Sequence, residues 1–413
     1  MRKVLFVVLY FVSFCGVAQP VSSGKPEANN GVLDVRTWNF REKKIALNGY
    51  WNFYKNEFVS GSDSTHTLAS ISRFPEVWDP STQHGTYQLR VVVPSDTGKL
   101  AFEFPQIYCS YELWVNGKKV AENGKIGTTR ESTTPQWLPQ VIPFNIEDDT
   151  LGITLYISNF YHFKGGSKEP IYLGTSTMLE NHYNQAVKSS LTGSIGLALL
   201  GISFLLIYYL REERKKITLY FSLLCLSWAI RSEFSNIYAF ISYFPAFDWS
   251  TMVRIEYITL FLTMIWAILF LSRLFPNESS KIIKYILVGT NCFFIALGVI
   301  TSPVFFTQWL DIYLAIAAIL LLYCGVIVVR AWINERSGAR YVVACVFLSL
   351  ALFGYDIFVY EGFFHYYNTV LFSIGYFLIF LMMGVSLLYH LQILKGDSAS
   401  ETLTFEDLYG KRQ

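Results

Sequence analysis

Charge and cysteine are both scarce in this sequence, and each shortage closes off a class of protein. Charged residues make up 15% against 52% hydrophobic residues, and the mean hydropathy is +0.34, too apolar for a chain that lives wholly in water. The 33 Lys and Arg nearly cancel the 31 Asp and Glu, leaving a net charge of +2. No nucleic-acid partner is therefore expected. Of the six cysteines, only Cys109 lies in the polar half. Cys225, Cys292, Cys324 and Cys345 fall in apolar runs, and Cys15 near the N-terminus. A lone Cys109 makes no intrachain disulfide, so the polar half must stand on its hydrophobic core. There is no CxxC pair and no His/Cys cluster, so neither a metal nor a cofactor is expected. HExxH, nucleophile-elbow, kinase and cyclase motifs are also missing. A glycosidase would need a carboxylate pair such as Glu103 and Glu112, and the chain is read instead as non-enzymatic.

What charge there is sits mostly between Gly24 and Lys188. Two halves in two solvents are the simplest explanation. The start, Met1-Arg2-Lys3, is basic, and Val4–Phe14 is apolar but short for a bilayer. Gly16-Val17-Ala18 places small residues where a signal peptidase reads, so residues 1–18 are expected to be a signal peptide. Phe14 stands before Cys15 where lipidation wants a small residue, so Cys15 is read as part of the discarded peptide. Residues 19–31 then form a polar leader.

From Lys188 onward, apolar stretches of about 20 residues recur, the length that crosses ~30 Å of hydrocarbon as helix. The expected spans are Ser189–Leu210, Ile217–Ile237, Met252–Leu271, Tyr285–Thr301, Trp309–Val329, Tyr341–Tyr360 and Thr369–Leu394. Basic residues set their orientation. Arg211, Arg214, Lys215 and Lys216 occupy the first connection, Arg273, Lys281 and Lys284 the third, and Arg330, Arg336 and Arg340 the fifth. The alternate connections, Tyr238–Trp249, Ser302–Gln308 and Glu361–Asn368, contain no Lys or Arg. Their aromatics Tyr243, Phe247, Trp249, Phe364, Tyr366 and Tyr367 look like an interfacial belt. This asymmetry puts the basic loops in the cytoplasm and the polar half outside. The inner membrane of a bacterium is the expected location, with the polar half periplasmic and the C-terminus cytoplasmic.

Arg231 and Glu233 lie toward the outer end of the second span, and Arg254 and Glu256 at the outer start of the third. Charges at that depth face a bundle interior or water. They are read either as a polar switch paired between the two helices or as ordinary interfacial charges. Asp356 in the sixth span is read as interfacial. Gly193, Gly196 and Gly201 in the first span imply close helix packing.

The polar half carries a β pattern. Tyr87–Val93 alternates and stops at Pro94, Leu100–Phe104 stops at Pro105, and Ile153–Ile157 is a further strand. Tyr111–Val115 and Lys118–Ala121 flank Asn116-Gly117, a strong signal for a type I′ hairpin. Gly and Pro punctuation every eight to twelve residues or so is the rhythm of an antiparallel β-sandwich of jelly-roll type.

The segments Leu47–Tyr54, Phe74–Trp78, Thr86–Arg90, Tyr111–Lys118 and Ile157–Phe160 together resemble the galactose-binding-like jelly roll. Followed by seven spans, they make the chain similar to the bacterial seven-transmembrane receptors with diverse intracellular signalling modules (7TM-DISM), from about Val32 to Leu394. The resemblance implies a sandwich sensor (residues 32–181), an all-α seven-helix transmembrane bundle (residues 188–394) and a short cytoplasmic tail (residues 395–413). It also implies a ligand outside, expected to be carbohydrate, and a signalling module inside. Residues 395–413 are too few for a folded effector, so either the effector is a separate cytoplasmic signalling protein acting in trans, which is the expected partner, or it was lost, or the function differs from the family's. Self-association into a homodimer is left open.

A sugar site pairs an aromatic platform with planar polar side chains. The candidates are Arg130, Gln136 and Trp137 in a Ser/Thr/Pro-rich loop, with Trp137 read as exposed, and Asn159, Tyr161 and His162 before Gly165-Gly166. Each has a plainer reading as an ordinary loop residue. Trp51, Trp78 and Trp114 are assigned to the core. Lys164-Gly165-Gly166-Ser167-Lys168 lacks the strand and helix of a phosphate loop. A ligand-gated receptor is the leading reading. A transporter or channel would show internal repeats, and none is visible. A retinal pigment would need a lysine within Thr369–Leu394, where none occurs. A scaffold would differ from the receptor only in lacking ligand dependence.

Overall fold

The structure, a computed structural model, describes residues 26–60, 69–95, 98–146, 148–211, 215–336, 338–360 and 368–409. The signal peptide, most of the leader, Arg214, the aromatics Phe364, Tyr366 and Tyr367, and the last four residues lie outside that set.

Alternation builds the sandwich. In His84–Val92, Tyr87, Leu89 and Val91 are buried while Arg90 is exposed. One seven-stranded sheet runs in the order Lys118–Asn123, Ser110–Val115, Thr150–Ser158, His84–Val92, Gly49–Lys55, Ser70–Phe74. Val32–Asp34 joins it, parallel to His84–Val92. A second sheet runs Gln140–Phe144, Leu100–Phe104, Tyr172–Thr175, Ile45–Ala46. The small third joins Val77–Trp78, Gly165–Ser167 and Ile107–Tyr108. Every other strand pair in the three sheets is antiparallel. Aromatics fill the core: Phe53 stacks on Tyr87 at 4.4 Å and Phe102 on Phe144 at 4.5 Å. The Asn116-Gly117 hairpin forms with both residues at positive φ, 48° and 74°, as a type I′ turn requires.

Trp51 and Trp78 are core residues, but Trp114 is not. It stands half-buried on the outward face, its indole N–H donating to Glu112 at 3.1 Å. Its neighbours Leu113 and Val115 take the inward positions, and alternation turns Trp114 the other way.

The helices are α1 (Ser176–Leu210), α2 (Lys216–Glu233), α3 (Ala239–Tyr243), α4 (Trp249–Leu274), α5 (Lys281–Ile300), α6 (Pro303–Thr307), α7 (Leu310–Ile333), α8 (Ala339–Tyr360) and α9 (Thr369–Tyr409). The seven long ones pack in a ring. α1 lies against α2 and α9, α4 against α2, α5 and α7, and α8 against α7 and α9. By length and composition, α1, α4, α5, α7 and Thr369–Leu388 of α9 suffice to cross a membrane. α2 is shorter and carries Lys216, Arg231 and Glu233. Leu199, Ile286 and Leu322 are each 60% or more exposed, an outward apolar surface suited to lipid. The close packing expected of α1 is present: a Cβ on Gly196 would stand 2.8 Å from Phe377, and one on Gly201 2.8 Å from Leu226.

Three boundaries differ from expectation. α1 begins at Ser176, so residue 181 falls inside it, and its first turns pack on the second sheet. The expected second span to Ile237 stops at Glu233, where the chain turns through Asn236 and Tyr238, both at positive φ. α9 runs on to Tyr409, past Leu394.

Candidate functional site

The two halves meet in one hydrophobic cluster. Tyr108, Cys109 and Trp137 of the sandwich are continuous with the buried core of the bundle. Trp137 is 1% exposed, which corrects its reading as an exposed loop residue. Its ring meets Trp249 edge-on at 5.3 Å, Tyr238 at 5.7 Å and His162 at 5.4 Å. Trp249 is therefore no member of a lipid-facing belt, because the sandwich covers it. Tyr243 is exposed, and Phe247 packs against the cluster.

The loop that carries Trp137 is tied to its own domain. Lys125 and Thr134 exchange backbone hydrogen bonds at 2.9 Å, and the Gln136 N–H donates to the Cys109 carbonyl. A Cβ on Gly124, at φ +67°, would stand 2.3 Å from the Thr134 carbonyl oxygen, so only glycine lets the loop fold back this closely. Gln136 bridges the halves: its Oε1 accepts from the Gly124 N–H, and its Nε2 donates to the Pro245 carbonyl at 2.9 Å.

A cleft of about 590 Å³ opens where this loop faces the outer connections of the bundle. Arg130, Gln136 and Tyr161 line one side, and Asp248, Trp249 and Arg254 the other. The Arg130 guanidinium lies 4.9 Å from the Tyr161 ring centroid, and the Tyr161 hydroxyl donates to the Arg130 carbonyl at 3.0 Å. The rings of Tyr161 and Trp249 stand 6.2 Å apart. Asp248 caps α4, accepting from the Thr251 N–H and hydroxyl, both at 2.8 Å. Arg254 donates to the carbonyls of Gly298, of Val299 at 3.1 Å and of Thr301 at 2.7 Å at the end of α5, where a cation is favoured.

The other two candidates lie behind the cleft. Asn159 and His162 are buried. Asn159 donates to the carbonyls of His162 and Lys164, and its Oδ1 accepts from Cys109 Sγ at 3.0 Å. His162 stacks on Tyr108 at 4.6 Å. Burial lowers its pKa to about 3, with Lys168 and Lys164 adding to the effect and a hydrogen bond to the Lys164 backbone opposing it. Burial likewise raises the Cys109 thiol.

A polar chain crosses beside these rings. The Tyr238 hydroxyl lies 2.9 Å from Gln106 Oε1 and 3.3 Å from Glu256 Oε2, and Arg231 donates to the Glu256 carbonyl at 2.9 Å. A single phenolic proton serves one acceptor, so a directional chain needs the Gln106 amide turned to donate. Of the four charges considered for a switch, Arg231 and Glu256 meet here. Glu233 instead accepts from Ser194 on α1, and Arg254 serves α5. Further ties are Lys164 to Asp311 at 3.1 Å, the Phe163 N–H to Thr307 at 3.1 Å, and Tyr183 to the Pro139 carbonyl at 2.9 Å. At the root of α1, the Glu103 side chain is largely covered. Burial pushes its carboxyl up, but bonds from His182 and Lys44 outweigh this and hold it below the usual carboxylate value. Among the described residues no group of three His, Cys, Asp or Glu is placed to hold a metal.

Sequence reasoning missed Gln106, Tyr238 and Trp249. The available signal was the absence of Lys and Arg from aromatic-rich outer connections, which was assigned to lipid.

Residues 191–390 match the model of the family described as 7TM diverse intracellular signalling. No curated protein matches the chain. Among solved structures, a GH2 β-galacturonidase from Eisenbergiella tayi bound to galacturonate is 15% identical over 32% of this chain and 24% of its own, with a TM-score of 0.24. A glycosyl hydrolase family 2 member from Bacteroides cellulosilyticus is 15% identical over 32% of this chain and 20% of its own, TM-score 0.25. For a putative β-galactosidase from Bacteroides fragilis the values are 15%, 32%, 23% and 0.25. The chain thus spans about a quarter or less of the length of each of these enzymes.

Proposed function

Since residues 191–390 make this chain a member of the 7TM diverse intracellular signalling family, we propose that it is a receptor whose sandwich and bundle together bind a carbohydrate. The observation that carries this reading is the cleft walled by Arg130, Gln136 and Tyr161 on one side and Asp248, Trp249 and Arg254 on the other. An occupant touches both halves, so its affinity depends on how they are seated. That difference in affinity is what shifts a two-state bundle. Its volume is in the range of small-molecule sites, and its aromatic walls suit the C–H faces of a sugar ring.

The sandwich lies in the periplasm of a bacterial inner membrane, and the basic connections face the cytoplasm. The signal leaves through the bundle to a cytoplasmic signalling protein. The chain itself is not catalytic.

The test uses the full-length protein in lipid nanodiscs. It is screened on a glycan array, and cysteines introduced in the basic connections are labelled with and without any sugar that binds. Saturable binding with an altered labelling rate supports a receptor. Binding that leaves every labelling rate unchanged reduces the protein to a sugar-holding scaffold.

A further inference from the structure

The cleft lining sets two guanidinium groups, Arg130 and Arg254, against one carboxylate, Asp248, with the hydroxyls of Thr134, Ser250 and Ser302 able to donate or accept. Asp248 uses one oxygen, Oδ2, twice in capping α4, and its Oδ1 takes no part in that cap. Gln136 has its oxygen and its amide nitrogen both engaged. The Arg130 guanidinium is exposed, is held over Tyr161 and meets no acidic group among the described residues. A second unsatisfied donor, buried in the wall, is the Trp249 indole N–H. Trp249 is 5% exposed, and its Nε1 has no hydrogen-bond partner among the described residues. A buried donor without an acceptor is costly, and this one belongs to a residue of the cleft wall.

Arg130 and Arg254 outnumber the single acid, Asp248, in the lining. Neutral sugars carry hydroxyls that need acceptors as well as donors. An exposed guanidinium in a lining of net positive charge fits an anion better. A guanidinium grips a carboxylate through two parallel bonds, and the ring contact with Tyr161 holds the guanidinium in place beforehand.

We propose that the cleft selects a carboxylated sugar, its carboxylate held by Arg130 and a second oxygen accepting from the Trp249 indole once that ring shifts to present its N–H. This rests on the cleft being the ligand site.

The experiment titrates the full-length protein in nanodiscs with galacturonate and glucuronate, with their neutral parents galactose and glucose, and with succinate as a carboxylate without a sugar ring. At least one uronate is expected to bind about tenfold or more tighter than its neutral parent, as befits charge-assisted hydrogen bonds. Arg130→Gln, at an exposed position, is expected to erase that preference. Trp249→Phe, which keeps a ring and removes the N–H, is expected to weaken the uronate severalfold. Raising salt is expected to weaken uronate binding more than neutral-sugar binding. Neutral sugars binding as tightly as uronates, with Trp249→Phe weakening both, would overturn the selection for carboxylate and leave the cleft standing. Succinate binding as tightly as the uronates would overturn the sugar ring. Uronate binding untouched by either substitution would place the site elsewhere, and failure of all four sugars to bind would remove both the selection and the sugar reading of the cleft.

Discussion

Trp137 of the sandwich and Trp249 at the start of α4 meet edge to face, with ring centroids 5.3 Å apart and planes at 87°. A domain that merely hung from a membrane anchor would leave such rings to water or lipid. Here they form part of the contact on which the two halves are seated, and Trp249 also lines the cleft. Movement of one half relative to the other must break this contact or carry both rings along.

Trp137→Ala therefore tests seating rather than sugar contact. Removing a fully buried tryptophan is expected to cost about 3–5 kcal/mol and to lower the thermal midpoint of the full-length protein. Increased proteolysis near the start of α1 is expected alongside. A variant with unchanged melting would mean that the ring is not buried against the bundle.

Tyr238→Phe keeps the ring on Trp137 and deletes the hydroxyl that stands between Gln106 and Glu256. The expected stability loss is about 1–3 kcal/mol. Sugar affinity is expected to change little, while the ligand-dependent change in cytoplasmic labelling falls. Full retention of that change would remove the hydroxyl from the coupling route.

His162 makes the interface acid-sensitive. Its ordinary pKa is 6.5, and burial lowers it to about 3 in the folded protein. A depressed folded value means that its contribution is complete above about pH 6.5. It drains as pH falls from there toward about 3. Melting temperature followed across this window should decline, and His162→Asn, which keeps an acceptor near Nδ1, should flatten the decline. Identical pH profiles for the two proteins would show that the imidazole is not buried.

Topology is tested by labelling single cysteines from one side. Asn277→Cys, between α4 and α5, is expected to react only with reagent inside the cell. Phe244→Cys, between α3 and α4, is expected to react only from outside. The reverse pattern would invert the orientation and place the cleft in the cytoplasm.

Much of this architecture is legible in the sequence because its signals are local. Span length, the alternation in His84–Val92 and the Asn116-Gly117 turn each depend on near neighbours and a known period. Trp114 was within reach of the same logic, since Leu113 and Val115 claim the inward positions. Of the cleft, Arg130, Gln136 and Tyr161 were named from one wall. The opposite wall was hidden because an aromatic in a membrane-proximal loop suits lipid and protein equally well. Only the fold shows that Trp249 meets Trp137. Trp137 drew attention as a tryptophan in a polar loop, yet that composition says nothing about a second domain lying over it.

The most direct measurement is hydrogen–deuterium exchange of the full-length protein in nanodiscs, with and without a saturating sugar identified on the glycan array. A ligand bridging the halves is expected to protect residues 129–137 of the sandwich and residues 245–251 of the bundle in the same titration. Protection confined to the sandwich, with the bundle segment unchanged at saturation, would contradict a shared site.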